Sequence, residues 1–135
     1  MTRGEPEGRR LSNTRPRDAL GRPLPWDAVG EDMVPERDWI DAADAIAEAL
    51  AYLRAGRPFH AHEVLEQRWR CAADDEREWW RALAQAAAGA TQAARGNAVG
   101  AERLRTRATA TLADLRPPPD LSTDEVATLL DLLGL

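Results

Sequence analysis

The sequence predicts an all-α protein: a compact bundle of four main helices plus a short C-terminal helix, with an extended N-terminal arm. Apolar residues recur at helical spacing along the middle of the chain, and no stretch shows the sustained alternation typical of a strand. Proline and glycine are concentrated in the first 35 residues and at 116–119, whereas alanine dominates between them. We therefore expect an extended or disordered Arg/Pro-rich arm at 1–34 and a single helical domain at 35–135.

Capping and helix-breaking residues set the predicted bounds of the first three helices. The first begins near Pro35 and ends before Gly56, and its expected buried residues are Trp39, Ala43, Ile46, Leu50 and Leu53. The second begins at Pro58 and ends near Ala72. The third, from about Asp75 to Arg95, is predicted to be the central helix because small side chains nearly all round it allow neighbours to approach closely.

Two further helices follow. Gly96 ends the third helix and Asn97 caps the fourth, so that the two form a tight antiparallel hairpin. The residues of the fourth helix expected to point inward are Ala101, Leu104, Ala108, Leu112 and Leu115. Three prolines then break the chain, and Ser122 with Glu125 three residues later forms a capping box for the short last helix.

Charge and cysteine content narrow the class of protein. The net charge is −5, although residues 1–25 contain six arginines against three acidic residues. The single cysteine, Cys71, excludes an internal disulfide framework and fits a reducing compartment. No apolar run approaches the roughly 20 residues that span a bilayer, and the N-terminus has no apolar signal-peptide core. The sequence predicts a cytoplasmic protein that does not associate with membranes.

The arm has two possible roles. Five arginines within 14 residues would bind phosphates weakly and in a salt-sensitive manner, and these are Arg9, Arg10, Arg15, Arg17 and Arg22. We prefer a solubilising arm that docks on the helices through Leu24 and Trp26, so nucleic acid is not an expected partner. Trp80 projects about 100° from the neighbouring Trp79 and needs a second surface. The arm, the last helix or another subunit could supply it, which predicts a homodimer or an arm-packed monomer.

Residues 62–69, with the sequence His-Glu-Val-Leu-Glu-Gln-Arg-Trp, contain the candidate site. At 100° per residue, His62 and Glu66 lie one turn apart on a face that also carries apolar residues, so both are expected to face the core. His60 points to the other side, near Gln67 and Cys71, and is expected to be exposed. The candidate pocket, between the second and third helices, consists of His62, Glu63, Glu66, Trp69 and Gln85.

The same residues allow several interpretations. A buried pair of His62 and Glu66, satisfied by Gln85 or a backbone carbonyl, could fix how the two helices pack. Alternatively the pocket meets a small polar ligand or a protein partner, or it belongs to an enzyme in which His62 and Glu66 perform acid–base or metal-assisted chemistry. Cys71 lies about 180° from His62 on the helix and no serine occurs between Ser12 and Ser122, so a covalent mechanism is not expected.

A single divalent metal is the one cofactor the residues suggest, and we predict none. His62 and Glu66 at i and i+4 could chelate one ion beside Glu63, but no third ligand is apparent.

The pattern resembles a family of helical proteins from bacteria and archaea, domain of unknown function 309, over about residues 38–115. Its His-Glu-x-x-Glu-x-x-Trp motif is matched by His62, Glu63, Glu66 and Trp69, and its Gly-Asn-x-x-Gly-Ala turn by residues 96–101. Residues 80–82 depart from the pattern, and Thr91 and Gln92 stand where many members carry histidines. The resemblance implies an α-helical, cytoplasmic protein and no particular activity. We expect a binding or interaction protein, with an enzyme as the alternative.

Overall fold

The computed structural model describes residues 15–135, and in this part of the chain it contains five α-helices and no β-strand. They are α1 (Ala42–Arg54), α2 (Pro58–Cys71), α3 (Arg77–Ala94), α4 (Ala98–Leu112) and α5 (Thr123–Leu132). The predicted fold class, four main helices followed by a short C-terminal helix, is confirmed. The first part of the predicted arm, including Arg9 and Arg10, lies outside the described residues.

The central position predicted for the third helix is also found. The two most extensive contacts between helices are those that α3 makes with α2 and with α4. Gly89 allows the close approach of α4: a Cβ added there would lie 3.1 Å from the carbonyl oxygen of Ala101 and 3.3 Å from Cβ of Leu104. Two predicted caps are present as well. The side chain of Asn97 accepts a hydrogen bond from the Gly100 amide, and that of Ser122 accepts one from the Glu125 amide.

The first helix begins at Ala42, so the predicted start near Pro35 was wrong. Residues 31–41, which we call the strap, run along α2 without helical hydrogen bonds. Trp39, placed by the sequence in the buried stripe, is 61% exposed, and Ala43 is exposed too. The strap stays extended because side chains of α2 satisfy several of its carbonyl groups, which removes the need for a helix to do so.

Trp80 does not need a second subunit. Its side chain is fully buried and packs edge to face against Trp79, with ring centroids 4.9 Å apart. The guanidinium of Arg68 lies over the Trp80 ring, 5.5 Å from its centroid. The indole nitrogen of Trp80 donates a hydrogen bond of 3.4 Å to the Glu76 carboxylate. The surface that Trp80 requires is thus provided within the chain, and this residue gives no reason to expect a homodimer.

Of the two residues through which the sequence predicted the arm to dock, Leu24 is half-buried and Trp26 is exposed. Trp26 is 60% exposed, whereas Gly21 is buried against the ring of Phe59. Arg95, at the end of α3, donates two hydrogen bonds to the carbonyl oxygen of Leu20, at 3.0 and 2.7 Å. Trp26 was therefore the wrong anchor, because its exposed ring contacts the guanidinium of Arg15 and not the core.

A turn at Asp18 shapes this part of the arm. Burial raises the pKa of the Asp18 carboxyl, but hydrogen bonds from Arg22 and from the Leu20 amide outweigh burial and hold the pKa below its ordinary value. The bonded form is the ionised one, so this turn is most stable at neutral pH and loosens as the pH falls through the pKa of the folded state.

Among residues 15–135, no helix has both the length and the apolar character needed to cross a membrane.

Candidate functional site

Helix α2 has two faces of different character, and the structure reverses the assignment made from its sequence. The residues of the inner face are buried, and they are His60, Ala61, Val64, Leu65, Gln67 and Arg68. The residues of the outer face are half-buried or exposed, and they are Phe59, His62, Glu63, Glu66, Trp69 and Arg70. The expectation that His62 and Glu66 face the core was wrong, since both side chains reach solvent.

His62 and Glu66 nevertheless lie together, as their spacing predicts. Nε2 of His62 is 3.7 Å from Oε2 of Glu66, and the two side chains are 23% and 32% exposed. Arg70 donates a hydrogen bond of 2.8 Å to the other carboxylate oxygen of Glu66. The Glu66 carboxylate therefore lies between an imidazole and a guanidinium on one helix face, and the imidazole is too distant for a direct hydrogen bond.

Arg70 is the member of this cluster that the sequence interpretation missed. The signal was available, because a Glu followed four residues later by Arg lies on one helix face in the favourable orientation for an ion pair. The ring of Phe59 borders the cluster as well, with its centroid 6.2 Å from that of His62. The cluster thus combines one aromatic ring, one imidazole and one carboxylate that is paired with a guanidinium.

The remaining candidate residues are placed as follows. Glu63 and Trp69 are half-buried on the outer face, and Trp69 packs against the hydrophobic core. Gln85 is half-buried on α3, and no hydrogen bond between described residues joins it to His62 or Glu66. The arrangement that the sequence suggested, with Gln85 satisfying a buried pair, is not the one found.

His60 is the buried histidine of α2, so the prediction of its exposure was wrong. Its side chain is 2% exposed, and Nε2 lies 2.7 Å from the carbonyl oxygen of Asp32. A carbonyl only accepts, so Nε2 carries the proton in this bond. Nδ1 is buried without a hydrogen-bond partner, and the ring of Tyr52 lies beside the imidazole at a centroid distance of 5.2 Å.

The other buried polar residues of α2 bind the strap in the same way. Gln67 donates to the carbonyl oxygen of Pro35 at 2.7 Å, and Arg68 donates to that of Ile40 at 2.9 Å. Together with the bond between His60 and Asp32, three side chains of the inner face thus satisfy three main-chain carbonyls of one extended segment. Sequence reasoning missed this function because the partner groups are backbone atoms that lie about 30 residues away.

Arg37 ties the strap to α1. Its guanidinium makes two hydrogen bonds to the carboxylate of Glu48, at 3.0 and 2.8 Å, and a third to Gln67 at 2.9 Å. The hydrogen bond to Glu48 raises the pKa of Arg37 above its ordinary value, so this group stays charged at any physiological pH. The polar network of the inner face is therefore architectural, and it is separate from the cluster of His62, Glu66 and Arg70.

The side chains that could ligate a metal or act as nucleophiles are arranged as follows in the described residues. Within residues 15–135, no group of three or more His, Cys, Asp or Glu side chains is arranged to hold a metal ion. Cys71 is half-buried on the strap side of α2, where its Sγ lies 3.7 Å from the carbonyl oxygen of Ile40. This position is away from His62, as the helical spacing of the two residues predicts.

Two surface clefts lie elsewhere on the bundle. One, of about 360 Å³, is lined by α3, α4 and the chain after α5, including Gly89 and Arg105. The other, of about 680 Å³, runs along the outer side of α4 past Val99 and Thr106. Neither is lined by a residue of the predicted pocket.

The fold and the site define a small helical bundle whose second helix carries a half-exposed His–Glu pair on its outer face. Residues 46–104 match the family described as "Domain of unknown function (DUF309)", and the assignment made from the His-Glu-x-x-Glu-x-x-Trp motif is thereby confirmed. The matched region contains most of α1, all of α2 and α3 and the start of α4. A search of curated proteins and a search of solved structures each returned no match.

Proposed function

We propose that the protein is a small cytoplasmic helical binding and interaction protein, and that its binding surface is the outer face of α2. The observation that carries this proposal is that the polar side chains on the inner face of α2 bind the strap, whereas those on the outer face are partly exposed to solvent. Buried polar groups need partners, and His60, Gln67 and Arg68 already have them in the strap. His62 and Glu66 bind no carbonyl of the strap and both side chains are partly exposed, so the His62 ring and the Glu66 oxygen that Arg70 does not bind are available to a ligand.

The chemistry of this surface favours a partner that donates hydrogen bonds beside an apolar group. Glu63 and Glu66 supply carboxylate oxygens, and the rings of Phe59 and Trp69 supply apolar contact and a face for a cation. We propose a small polar ligand or the side chain of a protein partner as the occupant, with Gln85 of α3 as a further contact.

An enzyme remains the alternative, and the contact between His62 and Glu66 is the observation that favours it. A carboxylate that orients an imidazole is a common acid–base arrangement, although the 3.7 Å separation would have to shorten to a hydrogen bond in the complex. Under this alternative Glu66 orients His62 or acts as the base, or the pair binds a single metal ion with Glu63. Isothermal titration with zinc and with manganese tests the metal version, which requires binding heat that the His62→Ala variant loses.

The proposal predicts that the outer face can be altered with little loss of stability. Because both side chains are partly exposed, His62→Ala and Glu66→Gln should each change the free energy of unfolding by less than about 1 kcal/mol. Native mass spectrometry after incubation with a metabolite mixture should detect a bound species with the unchanged chain and lose it with either variant.

Glu78→Gln is the matched control, since Glu78 forms an exposed pair with Arg81 on α3, at 3.1 Å. This variant should keep the bound species. Unfolding of both His62→Ala and Glu66→Gln would show instead that the motif is architectural, and a species that all three variants bind equally would place the ligand elsewhere.

The proposed cytoplasmic location rests on Cys71, a free thiol in a chain with no second cysteine. Self-association is also part of the proposal, although Trp80 no longer supports it and another surface must provide the contact.

A further inference from the structure

Trp39 is a large aromatic side chain that lies outside the core. It is 61% exposed, although the next residue of the strap, Ile40, is buried. Single exposed apolar residues are common on protein surfaces and need no special explanation. Trp39 differs from such a residue because its ring is held in one orientation. Tryptophan is also enriched among the residues that contribute most of the free energy of binding at protein interfaces.

Two contacts hold the Trp39 ring. Its Nε1 donates a hydrogen bond of 2.8 Å to Oδ1 of Asp41. The guanidinium of Arg68, which belongs to α2, lies 5.3 Å from the ring centroid. The edge and one face of the indole are thus occupied, and the exposed area belongs mainly to the opposite face. A ring that is already fixed loses little conformational entropy when a ligand binds to it.

Asp41 gives up its usual role to make this contact. It is the N-cap residue of α1, a position at which aspartate normally accepts a hydrogen bond from an amide of the first helical turn. The Asp41 side chain makes no such bond and accepts one from the indole of Trp39 instead. Loss of an N-cap bond costs a helix about 1 kcal/mol. A local rule that is broken while an exposed ring is held in place is typical of a functional position.

The segment around Trp39 is strongly acidic. Residues 31–45 contain six acidic residues and a single arginine. That arginine, Arg37, is already paired with Glu48 of α1. Between described residues, neither Asp38 nor Asp41 forms an ion pair, so both charges are available to a ligand. This segment therefore attracts a cation and repels a nucleic acid or another polyanion.

The positive charge of Arg68 does not cancel this attraction. Its Nη2 lies 3.7 Å from Oε1 of Glu76, so the guanidinium already has an anionic partner. Arg68 also lies on the side of the Trp39 ring that faces α2, so the ring separates it from a ligand on the exposed face.

The exposed face and the negative charge together define the chemical group that fits. A tryptophan ring attracts a cation above its face, and a planar guanidinium also stacks on it. The contact between Arg68 and Trp39 has this geometry within the molecule itself. An arginine side chain therefore fits the exposed face better than the compact ammonium of a lysine.

The backbone of the strap favours a peptide as the carrier of this arginine. Carbonyl groups of Asp32, Pro35 and Ile40 accept hydrogen bonds from α2. In the described part of the chain, by contrast, no amide group of residues 33–40 donates a hydrogen bond. A second extended chain beside the strap can supply carbonyl oxygens to these amides, as in recognition by strand addition.

We propose that the strap binds an extended peptide of another protein, with an arginine of that peptide stacked on the exposed face of Trp39 and its charge balanced by Asp38 and Asp41. The site is separate from the outer face of α2 and does not rest on the ligand proposed there. One stacked arginine and a few main-chain bonds give a weak contact, with a dissociation constant on the order of 1 mM or below.

NMR titration of the full chain with short peptides tests the proposal. The probe is the pentapeptide Gly-Gly-Arg-Gly-Gly, and the same peptide with citrulline in place of arginine is its uncharged match. The indole signal of Trp39, assigned by its loss in Trp39→Phe, should shift with the arginine peptide. Citrulline has the shape of arginine without the charge, so its peptide should bind at least about tenfold more weakly. A lysine peptide should bind about threefold more weakly.

Substitutions locate the contact, and the amide signals of the strap report binding when Trp39 is absent. Trp39→Leu should weaken binding of the arginine peptide by at least about tenfold. Asp38→Asn should weaken it about twofold to threefold. Trp26→Leu is the matched control and should bind as the unchanged chain does. Trp26 is 60% exposed and also contacts a guanidinium, that of Arg15 at 5.8 Å, but it lies outside the acidic segment.

Circular dichroism should show that Trp39→Leu is folded, as expected for an exposed side chain. If it is not, Trp39→Phe takes its place and should lose part of the binding, because phenylalanine attracts cations less strongly than tryptophan does.

Several outcomes would overturn the proposal. One is the absence of any shift up to about 10 mM arginine peptide. Others are equal binding of the arginine and citrulline peptides, and equal losses in Trp39→Leu and Trp26→Leu. A Trp39 signal that shifts with the concentration of the chain alone, and no longer does so in Arg15→Glu, would assign the surface to the arm of a second copy. None of these measurements involves His62 or Glu66, so failure here is distinct from failure of ligand binding at α2.

Discussion

Arg68→Met should lower the free energy of unfolding by about 3 kcal/mol, because Arg68 holds together three parts of the molecule. Its side chain is buried, its Nη1 donates to the carbonyl oxygen of Ile40 at 2.9 Å, and its guanidinium lies 5.3 Å from the ring of Trp39 and 5.5 Å from that of Trp80. Methionine preserves much of the aliphatic stem and removes the charged group. The Ile40 carbonyl is then left with the weak thiol donor of Cys71.

Two further variants, one at Arg70 and one at Arg68 itself, make this measurement specific. Arg70→Met removes the same group from the exposed face of α2 and should cost less than about 1 kcal/mol, although it breaks a 2.8 Å bond to Glu66. Arg68→Lys should recover only part of the loss, since a compact ammonium lacks the planar guanidinium that lies over the Trp39 and Trp80 rings. Urea unfolding at neutral pH gives all three values. Equal losses for Arg68→Met and Arg70→Met would show that the guanidinium of Arg68 does not hold the strap.

The strap itself provides a second measurement. Loss of the bond from Arg68 should release Ile40 and the ring of Trp39, while the bonds from His60 and Gln67 still hold the earlier part of the segment. Amide hydrogen exchange should therefore accelerate near residue 40 more than near residue 32. Uniform acceleration across the whole bundle would point to global destabilisation instead.

The sequence was sufficient for the features that depend on local rules. Pro58 at the first turn of α2, Gly56 and Gly96 after two helices, and the caps at Asn97 and Ser122 all act within four residues of themselves. Helix order and the central position of α3 followed from these residues and from the alanine-rich pattern. Even the short distance between His62 and Glu66 follows from helical geometry alone.

Local rules could not predict which face of α2 is buried. Its inner face contains His60, Gln67 and Arg68 beside Val64, and its outer face contains Phe59 and Trp69 beside the acidic residues, so hydrophobicity does not separate the two faces. Which face is buried depends on the strap, because its carbonyl groups need hydrogen-bond donors and the inner face supplies them. The sequence pattern had assigned part of the strap to the first helix. Partners about 30 residues away in the sequence leave no periodic signal, and the half-exposure of the candidate site is a consequence of the same contact.

Gly21→Ala should destabilise the protein by about 2 to 3 kcal/mol, because two separate costs coincide at this position. The residue has φ of +79°, a conformation that costs an L-residue about 1 kcal/mol or more. An added Cβ would also overlap the Phe59 ring, at distances far shorter than van der Waals contact, so the ring or the arm must move. Gly56→Ala is the control, since Gly56 has φ of +73° with open space around it and should incur only the first cost.

The difference between the two glycine variants measures how firmly the arm is seated on α2, and a third substitution tests the cause. In a Phe59→Ala background the ring is absent, so Gly21→Ala should cost no more than Gly56→Ala does there. The arm should also detach in Gly21→Ala alone, which would expose the Leu20 carbonyl now bound by Arg95 and make residues 15–30 sensitive to limited proteolysis. Equal costs for the two glycines in the unchanged background would mean that the arm does not depend on its contact with Phe59. Its position would then depend on the two hydrogen bonds from Arg95, and Arg95→Ala should reproduce the proteolytic sensitivity.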